Sequence, residues 1–592
     1  MKINDNTKAS DKKISTFLNK KNLKIFASVL ITIFLIIGGI KCADKILRNN
    51  LSHFKYDPFL KNKTDYDVLF YGSSHVINAI FPMQLWEDYG ITSYNLSMHS
   101  CGVAANYEIL EQSLKYHKPK VIVLDVLLPN GTSNTTKVGS LHNAYDAFPL
   151  NFSKFRYLYA LSKEREDISL SEFVFPFSLY HSRWSEKNIK FQTLFSHDMN
   201  REMGAESRIA VATPNNFKRL AHDVHNDPEN LPNLEKFIQY CKKKKIPLVL
   251  VYIPYPADQN AQKWANTCSI VAQNYDVPYI DLFDQNLVDF QIDCYDGGSH
   301  LNPSGARKVT DYLGQYLASN YSLSDKKENP KYAKKWNAWY EDYRNLLKEN
   351  LIKQNNFKNI LMLLNNSNFT AEVKFSERYT PDSIEKKLLN QVNQTVKEQN
   401  VDYKKMDFLD AIVEVTDVKT GETFYKAEFY KESNGNLKKF DRHANQENIK
   451  KAQEQNKLTA RFDIKNSGEK ENTVKILTNS SKTNFESPKW FIQKDGSGKM
   501  LQCNDKSIDF SFECVGDGKV EVILRGRDWK DLRGVRIPMK VDYTKLVING
   551  EKVITSPKTV YHDAPFKWQK QVKDGEVITV HAEWKPTQSG NN

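Results

Sequence analysis

Ser74 and, far downstream of it, Asp296 and His300 are of the types that activate a hydroxyl for nucleophilic attack. A serine needs a base beside it to become nucleophilic, and a histidine needs a carboxylate to hold its tautomer and stabilise its imidazolium. Ser74 lies in VLFYGSSHVINAIFP, where an apolar strand runs into Gly72-Ser73-Ser74 and a helix is predicted to follow. Asp296 and His300 lie in YDGGSHLNPSGARKVTDYLGQYL, just before a second predicted helix. Asp293 is a second carboxylate within reach of the same histidine, and Asn302 and Gly305 read as residues that shape the loop and the helix start. His75 is expected to pack or to cap the new helix, because adjacent side chains point in different directions. His222 and His225 have no cysteine or carboxylate at ligand spacing, and neither a metal nor a cofactor is expected.

The elements that must position these groups are legible as apolar runs. DVLFYG, ITSYNLS, KVIVLDVLL, PLVLVYIP and VPYIDLF alternate with helical stretches, which reads as an α/β parallel sheet with crossover helices. Open sheets of this kind place reacting groups at the carboxyl ends of their strands, where Gly72 to Ser74 fall. The interval 131–228 is too long for a bare loop and is rich in aromatic residues, so it reads as a helical insertion or lid. Within it, His181, Arg183 and Trp184 are candidate substrate contacts. The section 331–480 reads as a helical connector with a small β unit, and 487–592 as a β-sandwich with tight turns at Asn549-Gly550 and Asp574-Gly575. Its aromatics, Trp490, Trp529, Tyr543, Tyr561, Trp568 and Trp584, are expected to be mostly core, with a glycan-stacking surface as the alternative.

Sixteen uncharged residues, IFASVLITIFLIIGGI, separate Lys24 from Lys41 and follow a lysine-rich stretch. Their helical length of about 24 Å, extended by Leu23 and by snorkelling lysines, suits a single span over 25–42. The basic residues 1–24 would then be cytoplasmic, and the rest of the chain, from residue 43 and including the folded section 65–322, would face outward. The net charge of +13, from 84 Lys+Arg against 71 Asp+Glu, is scattered rather than gathered in one module, so nucleic acid is not an expected partner. A membrane surface or an acidic wall polymer remains compatible with it. The seven cysteines form no CxxC pair, which excludes a zinc ribbon and a disulfide scaffold and leaves buried thiols.

Over residues 65 to 320 the chain resembles the SGNH (GDSL-type) hydrolase superfamily, which has a flavodoxin-like fold. The likeness is closer to the membrane-anchored bacterial branch associated with polysaccharide O-acylation and teichoic-acid D-alanylation. GSSH is similar to the nucleophile block and DGGSHLNPSG to the final block. The resemblance implies Ser74 as nucleophile, His300 as general base and acid, and Asp296 as orienting carboxylate. This sequence departs from the pattern in setting Asp296 four residues before His300 instead of three, which keeps Asp293 open as the carboxylate. The second block is represented by YNLSMHSCG, with Gly102 later than usual, and the third by Asn130, both as candidate oxyanion contacts. The implied activity is serine acyl transfer, acetyl above all, to an envelope polysaccharide or teichoic-acid-like polymer, with a membrane-embedded acyltransferase as partner. An esterase that deacetylates the same polymer and an inactive glycan-binding scaffold are the alternatives.

Overall fold

The computed structural model describes residues 20–48, 51–129, 136–185, 200–213, 217–456, 460–466, 474–477, 489–492, 498–503, 506–526, 529–537, 540–561 and 563–585. The basic tail before Lys20 lies outside them. Helix α1 (Lys20–Leu47) carries the apolar run. Its Leu23–Asp44 stretch, 22 residues of mean hydropathy 2.4 with no part buried, is long and apolar enough to cross a membrane. A short helix α2 (Leu51–Lys61) follows and leads into the sheet.

Five parallel strands form that sheet: β1 (Val68–Tyr71), β2 (Ser93–Asn95), β3 (Val121–Asp125), β4 (Leu248–Tyr252) and β5 (Tyr279–Asp281), in the order β2-β1-β3-β4-β5. The central strands are buried along their whole length because helices cover both faces. Between β1 and β2 come α3 (Ser74–Ala79) and α4 (Pro82–Tyr89), and between β2 and β3 comes α5 (Val103–Ser113). After β3 the chain leaves the sheet through α6 (Val138–Tyr145), α7 (Phe152–Glu164), α8 (Leu170–Val174), α9 (Phe177–Tyr180) and a 3-10 turn at His181–Ser185. It returns through α10 (Pro232–Lys244) to β4, crosses through α11 (Gln259–Asn274) to β5, and continues into α12 (Pro303–Asn320).

Val68, Phe70, Val123, Val249 and Val251 of the sheet pack with Val309, Leu313 and Leu317 of α12 in one core. That packing matters for chemistry because α12 carries the downstream histidine segment against the helices that follow β1. Thr310 clamps the junction: its hydroxyl donates to the Ala79 carbonyl at 3.1 Å and accepts from the Phe81 amide at 3.0 Å.

The chain divides into two units, one of residues 1–371, 381–397 and 415–425, the other of 372–380, 398–414 and 426–592. In the first, α13 (Pro330–Ile352) and α14 (Phe357–Leu363) follow α12. There Arg344, buried at 4% exposure, donates to the buried Asp417 at 2.7 Å. Burial alone would raise the Asp417 carboxyl, but Lys348, the Lys419 and Thr420 amides and Arg344 bring it down to about 2. Asp417→Ala leaves the buried guanidinium with only the part-exposed Glu341, at 3.3 Å, as counter-charge, and is expected to cost on the order of 3 kcal/mol of stability. Denaturant unfolding checks it; a change within about 0.5 kcal/mol, the range of ordinary surface substitutions, would remove this pair from the stability account.

A second, five-stranded sheet, ordered β10-β9-β8-β6-β7, is built from β6 (Phe369–Ser376), β7 (Val396–Val401), β8 (Ala411–Asp417), β9 (Thr423–Lys431) and β10 (Leu437–Lys439), with α15 (Ser383–Gln391) between β6 and β7. In the second unit, antiparallel strands between Ala460 and Lys585 form a five-stranded and a six-stranded sheet, which enclose a common core of Ile464, Val522, Leu524, Leu546, Val580 and Trp584, and a separate two-stranded sheet of Trp529–Lys530 and Arg536–Ile537. Asn549 and Gly550 both have positive φ, 49° and 78°, as a two-residue hairpin turn demands. Trp584 and Tyr543 are core, Trp568 packs partly buried against it, and Tyr561 is exposed. The side chains of Trp490 and Trp529 lie outside the described residues.

Candidate active site

Strand β1 ends at Gly72, and the chain must turn at once into α3. Gly72 has φ 155°, and a Cβ there would lie 2.5 Å from Val76 Cγ2 and 3.0 Å from Asp125 Cβ, so only glycine fits. Its backbone is held on both sides: the amide donates to Asn106 Oδ1 at 3.1 Å, and the carbonyl accepts from the Met98 amide at 3.1 Å. Ser73 caps the helix by accepting from the His75 amide at 3.2 Å. Ser74 is the first residue of α3, only partly buried at the carboxyl end of the sheet.

The partner groups come from the loop before α12, which is braced like a small hairpin. Cys294 and Leu301 form an antiparallel bridge, and the Tyr295 amide donates to the His300 carbonyl at 2.9 Å. Asn302 caps α12 through its Oδ1, which accepts from the Ser304 and Gly305 amides, while its Nδ2 donates to the Ile292 carbonyl at 2.7 Å. Gly305 lets that turn close, since a Cβ there would meet the Asp293 carbonyl at 2.7 Å.

Within this frame His300 Nδ1 lies 2.7 Å from Asp296 Oδ2, and His300 Nε2 lies 2.8 Å from Ser74 Oγ. The other Asp296 oxygen accepts from the Gly298, Ser299 and His300 amides at 3.3, 2.7 and 3.0 Å. Burial pushes the Asp296 carboxyl up, but the His300 ring and the Ser299 and His300 amides outweigh it and hold it down at about 2. An ionised Asp296 accepts the Nδ1 proton, which leaves Nε2 as the acceptor facing the serine hydroxyl. Ser74, His300 and Asp296 thus form a hydrogen-bonded series of the residue types and order that can activate a serine hydroxyl.

Asp293, the alternative carboxylate, is fully buried and engaged elsewhere, accepting from Ser304 Oγ at 2.8 Å and Lys308 Nζ at 2.6 Å. Gly102 is the N-cap of α5, and its carbonyl accepts from Asn106 Nδ2 at 3.0 Å. Asn130 lies outside the described residues. The His181 ring meets the Ser178 carbonyl at 2.8 Å, and Arg183 donates to the Leu47 carbonyl of α1 at 2.9 Å. Asn95, the asparagine of YNLSMHSCG, donates its amide to the Val76 and Ile80 carbonyls and so braces α3.

His75 is buried, its ring 4.3 Å from Tyr255 and 5.4 Å from His300, with Nδ1 unpartnered among the described residues. Burial drives its pKa down to about 3, and His300 pushes the same way. An unfolded histidine titrates near ~6.5. Between those values the unfolded chain binds a proton that the folded chain refuses, so stability rises with pH across that window and falls on acidification. His75→Leu is therefore expected to lose less thermal stability than wild type between ~pH 7 and ~pH 4. Melting curves at the two pH values test this, and equal losses would remove His75 from the acid sensitivity.

Two features escape sequence reasoning. Asp125, at the end of β3 and 1% exposed, adjoins Gly72, accepts from the Ile253 amide at 3.3 Å and has Oδ2 unpartnered among the described residues. Burial pushes its carboxyl up to about 7 against the pull of the Ile253 and Leu127 amides. Its only sequence signal is a charged residue closing an aliphatic run. The second is a cluster around His222, which the fold supplies with carboxylates that sequence spacing does not show. His222, Asp281 and Asp284 bring one ligand atom each within 4.8 Å of one another, and the Arg219 guanidinium bonds both aspartates. His99 in turn pairs with Glu206 at 3.1 Å.

No protein-family model matches the chain, and no curated protein matches it. Among solved structures, it is similar to a crystal structure of a Bacteroides fragilis protein classed provisionally as an acylhydrolase, with 9% identity and a TM-score of 0.23 over 44% of this chain and 89% of that one.

Proposed function

We propose that this protein is a membrane-anchored serine acyltransferase acting on an envelope polysaccharide or a teichoic-acid-like polymer outside the cytoplasm. The observation that carries the reading is the unbroken hydrogen-bonded series from Asp296 through His300 to Ser74. In the proposed reaction Ser74 Oγ attacks an ester carbonyl while His300 Nε2 takes the hydroxyl proton, and His300 returns that proton to the departing alcohol. A polymer hydroxyl, deprotonated by the same nitrogen, then takes the acyl group, acetyl in the simplest case, and regenerates Ser74. Asp296 keeps the ring oriented and balances its charge in both halves.

Helix α1 supports the anchored part of the reading, with residues before it in the cytoplasm and the sheet outside. The proposed donor is a membrane-embedded acyltransferase that passes acyl groups across the bilayer. Deacetylation of the same polymer uses the same first half-reaction and differs only in that water takes the acyl group. Two measurements test the proposal. Incubation with p-nitrophenyl acetate should leave an acetyl group on Ser74, found by peptide mass spectrometry. Acyl content of the envelope polymer in a deletion strain then decides direction, since a fall supports transfer and a rise assigns deacetylation. No acetyl adduct together with unchanged polymer would leave a glycan-binding scaffold in its place.

A further inference from the structure

The helical insertion between β3 and α10 is joined to the base of α1. The end of the first helix, Ile46 and Leu47, and Arg48 after it are buried, whereas the apolar stretch is exposed. Helix α9 and the turn His181–Ser185 pack on α1, α8 packs on α9, and α7 packs on α8. Arg183 seals the contact through the Leu47 carbonyl at 2.9 Å, and Arg48 reaches back to the Asp146 carbonyl. These elements therefore stand where α1 leaves its apolar stretch.

The same elements expose large aromatic side chains. Trp184, beside Arg183, is 76% exposed, and Phe175 is 43% exposed. On α7, Phe152, Phe155 and Tyr159 are 80%, 41% and 49% exposed, and at 100° per residue they share one face, with the buried Leu161 on the opposite side. Arg156 and Lys163, both exposed, flank that face, and the Lys163 ammonium lies 5.4 Å from the Tyr159 ring centroid. Aromatic rings bordered by cations suit the boundary between lipid headgroups and acyl chains, where the rings bury apolar area and the cations meet phosphates.

We infer that this insertion lies on the bilayer that α1 enters, with Trp184, Phe175 and the Phe152/Phe155/Tyr159 face in the headgroup region and Arg156 and Lys163 against lipid phosphates. The inference rests on α1 being a membrane span, and it adds a second attachment that fixes how the sheet stands over the membrane. Continuity with the base of α1 selects lipid as the occupant.

The test uses the full chain reconstituted in vesicles of phosphatidylcholine and phosphatidylglycerol carrying brominated acyl chains. Resistance to alkaline carbonate extraction reports the span separately. Trp184→Phe is expected to lose part of the bromolipid quenching of tryptophan fluorescence while leaving quenching by aqueous iodide unchanged, and Phe155→Trp is expected to gain bromolipid quenching. A carbonate-resistant protein in which Trp184→Phe loses iodide quenching instead, and Phe155→Trp gains only iodide quenching, would overturn the inference while sparing the span. It would leave the aromatic face for a protein partner. Carbonate-extractable protein would refute the span and, with it, the inference, whatever the quenching.

Discussion

Ser74→Ala is expected to abolish covalent labelling by a serine-reactive fluorophosphonate and to lower ester turnover by roughly 10⁴-fold or more. His300→Ala is expected to match it, because the hydroxyl at Ser74 is inert without the base at 2.8 Å. Members of such a relay act as one unit, so the double variant should be no slower than either single one. Labelling rates of the full chain, with thermal unfolding to show that each variant is folded, make the measurement. Folded Ser74→Ala protein that still labels at the wild-type rate would place the reactive group elsewhere and end the proposed mechanism.

Asp296→Asn should be nearly as damaging, on the order of 10³–10⁴-fold, although it alters the side chain by one heavy atom. The carboxylate holds the proton on His300 Nδ1 and so keeps Nε2 free to accept from Ser74. An amide can donate to Nδ1 and force the proton onto Nε2, where the ring no longer acts as a base. Because Asp296 is held down at about 2, it stays ionised well below neutral pH. The sign follows from that depression: its contribution to stability is complete above the unfolded value near ~3.9 and fades as pH falls through about 2. Asp293→Asn is the control. Asp293 is tied to Ser304 and Lys308, so its loss should lower stability and leave labelling of the folded protein close to wild type. The reverse pattern, with Asp293→Asn silent in labelling and Asp296→Asn active, would hand the orienting role to Asp293.

Much of the architecture is written locally. The apolar runs at Val68–Tyr71, Val121–Asp125 and Leu248–Tyr252 are strands of the parallel sheet, because residues buried on both faces have no polar alternation. The apolar run after Lys24 is one continuous helix, and Asn549-Gly550 makes the hairpin turn its residue types require. Each of these features depends on hydrophobic period or backbone freedom, which neighbouring residues determine.

The sequence alone also supplied the three reactive residue types, Gly72 before the serine, and Asn302 and Gly305 after the histidine. It left two aspartates open beside His300, and only the fold separates them. The Cys294–Leu301 bridge turns Asp296 toward the ring, whereas Asp293 is drawn into Lys308 and Ser304. His181 and Arg183 were candidate substrate contacts by type, and the fold adds that Arg183 reaches the end of α1, 136 residues earlier in the chain. Asp125 and the carboxylates around His222 were invisible for the same reason: their neighbours are brought by different strands and loops. Spacing along a chain reports contacts within one element; distances between elements exist only once α12 has packed on the helices that follow β1 and the core has closed around them.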